Sequence, residues 1–560
     1  MASVADVTYA FDRFLRYDEL TEWLHDTAAE HPDLMCVESY GRSYEGRELW
    51  LATITDASTG THDTKPAHWV DANIHSVEVT ASVAALHLIH RLVTGNAHDL
   101  TVTRAVQTRT FYVVPRVNPD GAEWALADSP RYRRSSTRPW PWRDAHQAPG
   151  LHERDMDGDG RVLQMRIVDA NGAWTPSDED PRVLIPVPIE GTMPGAPRYR
   201  VIYEGEIVDH DGFTIAIPNP PEAIDMNRNF PAGWGTGVPG SGDHPLSEPE
   251  IDSLVRAIRA RPNICGYNAY HTAGGVLLRP SSVKPDSTLP PRDVWIWNQL
   301  GERGTALTGC TVHSVYEDFT FDKRETTSGA ADDWVYDHLG VFGWTTEFWD
   351  VVHAATGVKQ SPHFWYLGPT NEDRLAVLRW SDEHHPEMFV PWYPFDHPQL
   401  GPVELGGWNE MCTWANPPLG RLATEVERHA DFAIFQALAA PCLEVLGVAV
   451  TALGSETWRV DVGIANTGWL PTDVTQHARK EKLVLPVTAW LSGAELVSGL
   501  ARLELGQLEG RVHSRFASGN DGTPDRTLAT WVVRGAAGTE VTVEIGHQRA
   551  GSRTVTVALG

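Results

Sequence analysis

Residues 66–92 read PAHWVDANIHSVEVTASVAALHLIHRL, and the two halves of this stretch follow different patterns. The mostly apolar run around Trp69 is typical of a buried strand. After Asn73 the chain becomes rich in Ala and Leu at helical spacing, which predicts a helix. His75 and Glu78 lie where the strand gives way to the helix. Two such side chains, three residues apart, can point at one spot, as a metal ion at a sheet edge requires.

Three further apolar runs have the same strand-like character, and crossover segments separate them. They are TRTFYVVPRV (108–117), NICGYNAYH (263–271) and VFGWTTEFWD (341–350). This alternation predicts an α/β fold with a mixed, twisted sheet flanked by helices. Polar residues at the strand ends fall where sheets of this class place their functional sites.

The chain is 560 residues long, which is too long for one compact core, and its pattern changes twice. Residues from about 135 to 225 are rich in Pro, Asp and Gly, with little periodicity, and predict a long insertion. From residue 441 onward, short runs alternate with period two between turn residues, which predicts an all-β sandwich. We therefore predict an α/β domain over residues 1–440 and a C-terminal β-sandwich accessory domain over residues 441–560.

Composition excludes some partners. The formal net charge of −28 argues against nucleic acid and anionic membranes. No apolar run approaches the length of a membrane span, and the N-terminus has no basic start before an apolar block, so we predict no signal peptide. Five scattered cysteines indicate no disulfide framework and favour a cytoplasmic location. The sequence leaves the oligomeric state open.

His271 strengthens the interpretation of His75 and Glu78 as metal ligands. It ends the run 263–271 and precedes a Thr-Ala-Gly-Gly turn. Two histidines and one glutamate from two strand ends supply three zinc ligands and leave a fourth position for water, the pattern of a catalytic zinc site. For His75 alone, a buried structural histidine is the alternative.

Two further candidates would complete such a site. Glu347 closes an apolar strand that has no other reason to carry an acid, so it is the candidate general base. Its alternative is a glutamate that faces solvent at a sheet edge. Asn227 and Arg228 precede a Pro/Gly turn, and the planar guanidinium of Arg228 can bind a carboxylate through two hydrogen bonds. A solvated arginine beside a turn asparagine is the alternative there.

Together these pieces resemble the zinc carboxypeptidases of the carboxypeptidase A/B type, over about the first 440 residues. The matching motifs run in the order of that family: YDEL (17–20), GRSYEGREL (41–49), HSVE (75–78), NPDG (118–121), MNRNFP (226–231), YH (270–271) and TTEFW (345–349). The resemblance implies a zinc metallocarboxypeptidase of the bacterial type with a C-terminal sandwich. Its expected partner is a peptide with a free C-terminal carboxylate, whose last peptide bond it hydrolyses.

The resemblance also implies roles for the metal-site residues. His75, Glu78 and His271 are implied to bind one Zn²⁺ per chain, and Glu347 is implied to activate a zinc-bound water. Asp225 falls where the family has a carboxylate that orients the first zinc histidine.

Substrate-binding roles follow in the same way. Asn227 and Arg228 are implied to grip the terminal carboxylate of the substrate. The family also has an arginine after NPDG that stabilises the oxyanion of the reaction. Spacing favours Arg133 and the polar run after it favours Arg134; we favour Arg134.

The sequence departs from the family at two positions near the substrate. The tyrosine that covers the bound substrate falls at Glu325 here, so another residue covers it or the chemistry proceeds without that contact. Asp332, two residues before Trp334, holds the specificity position and predicts a preference for C-terminal Lys or Arg. A solvated acid, or a salt bridge to Arg279, would cancel that preference.

The insertion carries a second candidate metal site. Asp155, Asp157 and Asp159 match the first half of a calcium loop, but Arg166 stands at its twelfth position, which argues against an EF-hand. A small Ca²⁺ site is one interpretation, and solvated turn residues are the other.

Two rival functions fit the same residues. One is an amidohydrolase on the same scaffold that acts on cell-wall peptides or side-chain amides. The other is an inactive scaffold with a binding role, against which the retention of all three ligands and the base argues. No propeptide-like segment precedes the matching motifs, so we expect no latent form.

Overall fold

The computed structural model describes residues 9–141, 148–189, 191, 195–324, 326–516 and 521–560. Within these ranges, no helix is both long enough and apolar enough to cross a bilayer. The helices, in chain order, are α1 (Tyr17–Glu30), α2 (Val79–Gly95), α3 (Leu100–Thr108), α4 (Pro119–Ala125), α5 (Pro249–Arg259), α6 (Pro291–Thr308), α7 (Ala331–Leu339), α8 (Val351–Thr356), α9 (Phe364–Leu367), α10 (Asn371–His384), α11 (Leu419–Ala439) and α12 (Gln476–Glu481).

The strands belong to a large mixed sheet, to a smaller antiparallel sheet and hairpin in the middle of the chain, and to two C-terminal sheets. In the first part of the chain they are β1 (Met35–Arg42), β2 (Glu48–Ile54), β3 (Ala67–Ala72), β4 (Thr110–Val114), β5 (Gly150–Glu153), β6 (Gln164–Val168), β7 (Trp174–Pro176), β8 (Leu184–Pro186), β9 (Tyr199–Tyr203) and β10 (Gly205–Val208). The remaining strands are β11 (Ile264–Thr272), β12 (Val276–Arg279), β13 (Thr311–Ser314), β14 (Phe342–Phe348), β15 (Phe389–His397), β16 (Gly401–Trp408), β17 (Leu443–Gly454), β18 (Thr457–Asn466), β19 (Thr488–Ser492), β20 (Glu495–Ser498), β21 (Arg502–Glu504), β22 (Arg526–Arg534), β23 (Glu540–His547) and β24 (Gly551–Ala558).

Eight strands form the large sheet in the order β1-β2-β4-β3-β11-β14-β12-β13. Its four central strands, β4, β3, β11 and β14, are parallel, and β2 and β12 join them in antiparallel orientation. Every residue of β3 is buried, as expected for a parallel strand that is covered on both faces. Val70 packs in a core with residues of α2 and α11, whereas its neighbour Trp69 packs in a core with residues of α5 and α7. The predicted mixed sheet between helices is confirmed.

The register of the central strands brings their carboxyl ends together. His271 on β11 lies opposite Glu347 on β14, and Tyr270 lies opposite Ala72, the last residue of β3. The loop that follows β3 therefore begins beside His271. This juxtaposition depends on pairing between strands that are about two hundred residues apart in the chain.

The insertion contains more regular structure than its composition predicts. Strands β6 to β9 join the hairpin β15–β16 in a six-stranded antiparallel sheet, and β5 pairs with β10. Glu404 on β16 lies opposite Arg166 on β6, and their side chains form an ion pair at 2.7 Å. The insertion strands are only three to five residues long, too short for their periodicity to show in the sequence. Their partner hairpin lies more than two hundred residues away, so local patterns could not reveal it.

The C-terminal region contains antiparallel β sheets, as predicted, together with the short helix α12. Two four-stranded antiparallel sheets, β17-β18-β22-β20 and β21-β19-β23-β24, share one apolar core that includes Val462, Trp531 and Val543. Helix α11 ends at Ala439 and β17 begins at Leu443. The domain boundary at residue 441 stays a prediction, since apolar residues from both sides of it pack in a common core.

Candidate functional site

A tight turn after β3 presents the first two site residues. Asn73 has a positive φ of 59°, which Asn tolerates better than most residues, and its side-chain amide donates to the carbonyl of His75 at 2.7 Å. Glu78 is the residue immediately before α2. The turn and the helix start thus direct His75 and Glu78 to the same side, towards the end of β11.

The three predicted metal ligands meet at one point. The Nδ1 atom of His75 lies 2.8 Å from Oε1 of Glu78, and Nδ1 of His271 lies 2.9 Å from Oε2 of the same carboxylate. The two Nδ1 atoms are 3.1 Å apart. All three side chains are almost fully buried. Burial by itself raises the pKa of Glu78, but the two imidazoles beside it hold that pKa below its ordinary value.

Asp225 fixes the orientation of the first histidine. Its Oδ1 atom lies 3.1 Å from Nε2 of His75, and the same oxygen accepts the backbone N–H of Asn227 at 2.8 Å. Burial raises the pKa of the Asp225 carboxyl, but Arg134 and Arg228 more than offset this and hold it well below its ordinary value. A charged carboxylate on the far nitrogen leaves Nδ1 of His75 as the ligating atom.

This donor set fits a zinc ion. Two imidazole nitrogens and one carboxylate converge in a buried place, and they lie close enough to share one ion. The carboxylate behind His75 is the outer hydrogen bond that zinc-binding histidines commonly make.

Glu347 lies beside this cluster, on the strand next to His271. Its side chain is half-buried and lines a cavity of about 330 Å³ together with the three ligand residues. Burial raises the pKa of Glu347 to about 8, an effect that His271 opposes and Glu78 reinforces. Its place inside the cavity does not match the alternative of a glutamate facing bulk solvent.

The two candidate oxyanion arginines point in different directions. Arg134 lines the cavity, where its Nη1 lies 3.2 Å from Oε1 of Glu78 and its Nε 3.1 Å from Oδ2 of Asp225. Arg133 donates instead to Glu222 at 2.8 Å. Geometry therefore favours Arg134 for any role at the cavity.

Asn227 and Arg228 also line the cavity. Both belong to a short 3-10 turn, Met226–Arg228, which Asp225 caps. The Oδ1 atom of Asn227 accepts the N–H of Ala331 at 3.0 Å, which ties the turn to the start of α7. The nearest carboxylate contact of Arg228 is at 3.9 Å, to Asp225. Its guanidinium thus faces the cavity without a close ion pair.

Asp332 lies at the buried end of the same cavity. It is 3% exposed, and burial raises its pKa. Arg279 forms its ion pair with Asp286 and not with Asp332. The salt bridge between Arg279 and Asp332, which would have argued against a specificity role for Asp332, is therefore not formed. The lining of the cavity also includes the apolar residues Leu278, Val315 and Phe319.

Tyr366 is a cavity residue that the sequence analysis did not identify. Tyr366, on the short helix α9, lines the cavity and is 49% exposed. Its ring stacks on Phe321, with centroids 5.8 Å apart and an angle of 22° between the rings. No motif marks this segment, so only the folded chain shows its proximity. Glu325, where the family tyrosine was expected, lies outside the described residues.

The calcium hypothesis gains no support. Asp155 and Asp157 gather with Glu204, whereas Asp159 bonds to Arg161 at 2.9 Å. The two carboxylate oxygens of Glu204 already accept backbone N–H groups, at 2.6 and 2.8 Å. Loop hydrogen bonds of this kind account for the aspartates without a bound ion.

Comparisons with known families agree with these features. A family model described as zinc carboxypeptidase matches residues 20–175 and 207–366, together more than half of the chain. A second model, described as a domain of unknown function (DUF8731), matches residues 442–558. The first match includes every metal-site and cavity residue discussed above.

Two curated proteins are similar to part of this chain. A zinc carboxypeptidase of Saccharothrix mutabilis subsp. capreolus is 29% identical over 122 residues, 22% of this chain and 28% of that protein. Carboxypeptidase B of Astacus astacus is 33% identical over 119 residues, 21% of this chain and 37% of that protein. The matches thus span about a third of these relatives. The solved carboxypeptidase A from Helicoverpa armigera aligns with a TM-score of 0.41 and 18% identity, over 67% of this chain and 74% of that chain.

Proposed function

Because this chain belongs to the zinc carboxypeptidase family, we propose that it is an exopeptidase that removes the C-terminal residue of peptides. The observation that supports this most is a single cavity into which His75, Glu78 and His271 project beside Glu347 and Arg228. An acid, a cation and a metal-ligand set in one cavity provide the parts that peptide hydrolysis needs.

Arg228 is the group proposed to hold the terminal carboxylate of the substrate. It faces the cavity, its closest acidic contact is at 3.9 Å, and although Nη1 donates to the carbonyl of Asn227 at 2.7 Å, the guanidinium has further N–H groups for a ligand. Arg presents two parallel donors that match a carboxylate. Asn227 stands beside it on the same capped turn, so the two side chains would act together on the substrate terminus.

The remaining residues would carry out the hydrolysis. When bound, zinc supplies a Lewis acid that polarises the peptide carbonyl and lowers the pKa of water. Glu347 takes a proton from the attacking water and delivers it to the leaving amine as the C–N bond breaks. Arg134 donates hydrogen bonds to the oxygen on which negative charge develops. Asp225 keeps His75 in the orientation that exposes Nδ1.

Two further residues would contact the departing amino acid. Asp332 lines the cavity together with the apolar side chains of Leu278, Val315 and Phe319. An acid and apolar groups in one cavity suit a basic side chain with an aliphatic stem, so we propose a preference for C-terminal Lys or Arg. Tyr366 is exposed on the same cavity and would place its hydroxyl against the bound substrate. It would thereby make the contact that the covering tyrosine makes in the family.

Matched peptides test the proposal. A peptide that ends in a free Lys should be shortened by one residue, and its C-terminal amide should react at least about a hundredfold more slowly, because Arg228 loses its charged partner. A zinc chelator should stop both reactions. Equal rates for acid and amide would contradict an exopeptidase. Faster cleavage of a side-chain amide or of a cell-wall peptide would favour the rival amidohydrolase, and no cleavage of any amide would favour an inactive scaffold.

A cytoplasmic location is also part of the proposal. All five cysteines lie within the described residues and are free thiols that form no disulfide with one another, which suits a reducing compartment. Thiol titration of protein purified without reductant should count five reactive groups after denaturation. Fewer thiols would indicate oxidation and an extracytoplasmic location.

A further inference from the structure

A second cavity lies on the other side of α9 from the metal site. Its volume is about 270 Å³, and its walls come from the six-stranded sheet and the segment around α9 and α10. Phe364 of α9 lines this cavity, whereas Tyr366 of the same helix lines the first one. We name it the aromatic pocket after the four indoles among its lining residues: Trp174, Trp392, Trp408 and Trp414.

Several aromatic rings of this pocket pack edge-on against one another. Trp408 and Trp414 lie 5.4 Å apart at 73°, and Phe389 packs edge-on against Trp408 at 5.0 Å. The indole N–H of Trp392 is fixed by a bond of 2.9 Å to the carbonyl of Arg182. Rings fixed in this way give the pocket rigid apolar surfaces, and its volume of about 270 Å³ has room for a six-membered ring.

Arg374 gives the aromatic pocket a positive charge. Its guanidinium lies 5.6 Å from the centroid of the Trp174 ring, and it pairs with no carboxylate within the described part of the chain. Arg182, also in the wall, is by contrast paired with Asp180 and Asp382 at 2.7 and 2.6 Å. Burial lowers the pKa of Arg374, which reflects the cost of leaving that charge unpaired. A bound anion would remove this cost.

Polar groups that suit hydroxyls complete the wall. Gln164 offers an amide. Glu410 offers a carboxyl whose pKa is raised to about 7 by burial, with the hydroxyl of Tyr203 at 3.5 Å. An aromatic amino-acid side chain in this pocket would leave the polar side chains of the wall, Gln164, Glu410 and Arg374, without partners, which is costly.

We propose that the aromatic pocket binds a saccharide ring that carries a carboxylate. The C–H faces of the ring would lie on the indoles, its hydroxyls would bond to Gln164 and Glu410, and its carboxylate would pair with Arg374. The metal-site cavity contributes no lining residue to this pocket, so the inference stands independently of the proposed peptidase activity.

A matched pair of ligands tests the inference. Methyl β-D-glucuronide and methyl β-D-glucoside differ only at C6, which is a carboxylate in the first and a hydroxymethyl group in the second. Ligand-observed NMR titration of the full chain can rank their dissociation constants in the millimolar range. We expect the glucuronide to bind about tenfold more tightly. In Arg374→Gln the two glycosides should bind equally, whereas the control Arg379→Gln, on the same helix but paired with Glu179 at the surface, should keep the difference.

Other outcomes overturn the inference. If neither glycoside binds, or if both bind equally to the unaltered chain, no carboxylated saccharide occupies the pocket. If N-acetyl-L-phenylalanine amide competes better than the glucuronide, the occupant is an aromatic peptide side chain. Trp174→Phe, which keeps a ring under Arg374, serves as a second variant. It should retain the order of the two ligands, and thermal melting should show that each variant is folded.

Discussion

The two cavities on either side of α9 differ in how the chain builds them. The metal-site cavity takes its ligands and its acid from the ends of neighbouring parallel strands and from the turn and helix start that follow one of them, and ion pairs join the ligand residues to Asp225 and Arg134. The aromatic pocket takes its walls in part from a sheet whose strands β6 and β16 lie more than two hundred residues apart, and the guanidinium of Arg374 in it has no ion pair among the residues that the structure describes. The first has the geometry of a reaction site, and the second has that of a binding site.

The carboxyl among the metal ligands and the carboxyl of the aromatic pocket differ in the direction of their pKa shifts. In the metal-site cavity, imidazole and guanidinium groups hold the pKa of Glu78 and Asp225 below the ordinary value. In the aromatic pocket, burial raises the pKa of Glu410 to about 7, and only the hydrogen bond with Tyr203 opposes this shift. Burial also raises the pKa of Glu347 and of Asp332 in the metal-site cavity, so the lowered pKa values belong to Glu78 and to the carboxylate behind His75.

The largest expected effect comes from Glu347→Gln, which removes the proton carrier and leaves the metal ligands in place. Turnover of a free-acid peptide should fall by about 10³-fold or more, while the zinc content by elemental analysis stays at one per chain. Glu383→Gln, on the exposed face of α10, is the matched control. An undiminished rate in Glu347→Gln would refute the general-base role.

Arg228→Ala should have the next largest effect on activity. Loss of a charge-assisted contact to the substrate terminus should lower kcat/KM for free-acid peptides by about a hundredfold. The already slow rate on C-terminal amides should hardly change. If both substrate types lost the same factor, Arg228 would have a structural role instead.

Asp225→Asn tests the support behind His75. Zinc affinity, measured by competition with a chromogenic chelator, should weaken by about 10- to 100-fold, because the imidazole loses its charged partner. Asp332→Asn, in the same cavity but outside the proposed ligand set, should leave zinc affinity unchanged. A similar loss in both variants would mean that general destabilisation, and not orientation of the histidine, causes the effect.

Asp332→Asn should change specificity more than overall rate. With the acid removed, the ratio of kcat/KM for C-terminal Lys over C-terminal Leu should fall by about tenfold, since a buried acid no longer meets the basic group. Competition between the two peptides in one reaction, followed by mass spectrometry, measures the ratio directly. An unchanged ratio would contradict the specificity role.

Tyr366→Phe should give the smallest effect. Removal of one neutral hydroxyl bond should raise KM for a free-acid peptide by about five- to tenfold with little change in kcat. The variant retains the ring and its stacking on Phe321, so the folded structure of α9 should persist. Loss of kcat without change in KM would assign Tyr366 to the chemistry and not to the cover of the substrate.

The sequence alone predicted part of this site, because the site residues lie in short motifs that follow one another in the order of the family. His75 and Glu78 share one turn, and His271 and Glu347 each lie at the end of an apolar run. Because the ends of neighbouring strands meet at one edge of such a sheet, the sequence predicted that all four side chains lie close together. The resemblance to zinc carboxypeptidases is confirmed by the family match. The sequence favoured Arg134 over Arg133 only by the polar run after it, and the folded backbone separates the two, because it directs Arg134 to Glu78 and Arg133 to Glu222.

The amino-acid sequence by itself determined the α/β class, the C-terminal β-rich region and the residue types of the metal site, because hydrophobic periodicity and short motifs are local properties. Only the tertiary structure decided that the insertion strands pair with β15–β16 and that Tyr366 reaches the metal-site cavity. It also decided that Arg374, which has no ion pair within the described residues, lies near Trp174 in a pocket lined by four indoles. These features depend on contacts between residues far apart in the chain, and no local pattern encodes which distant partner a short strand or a lone side chain will meet.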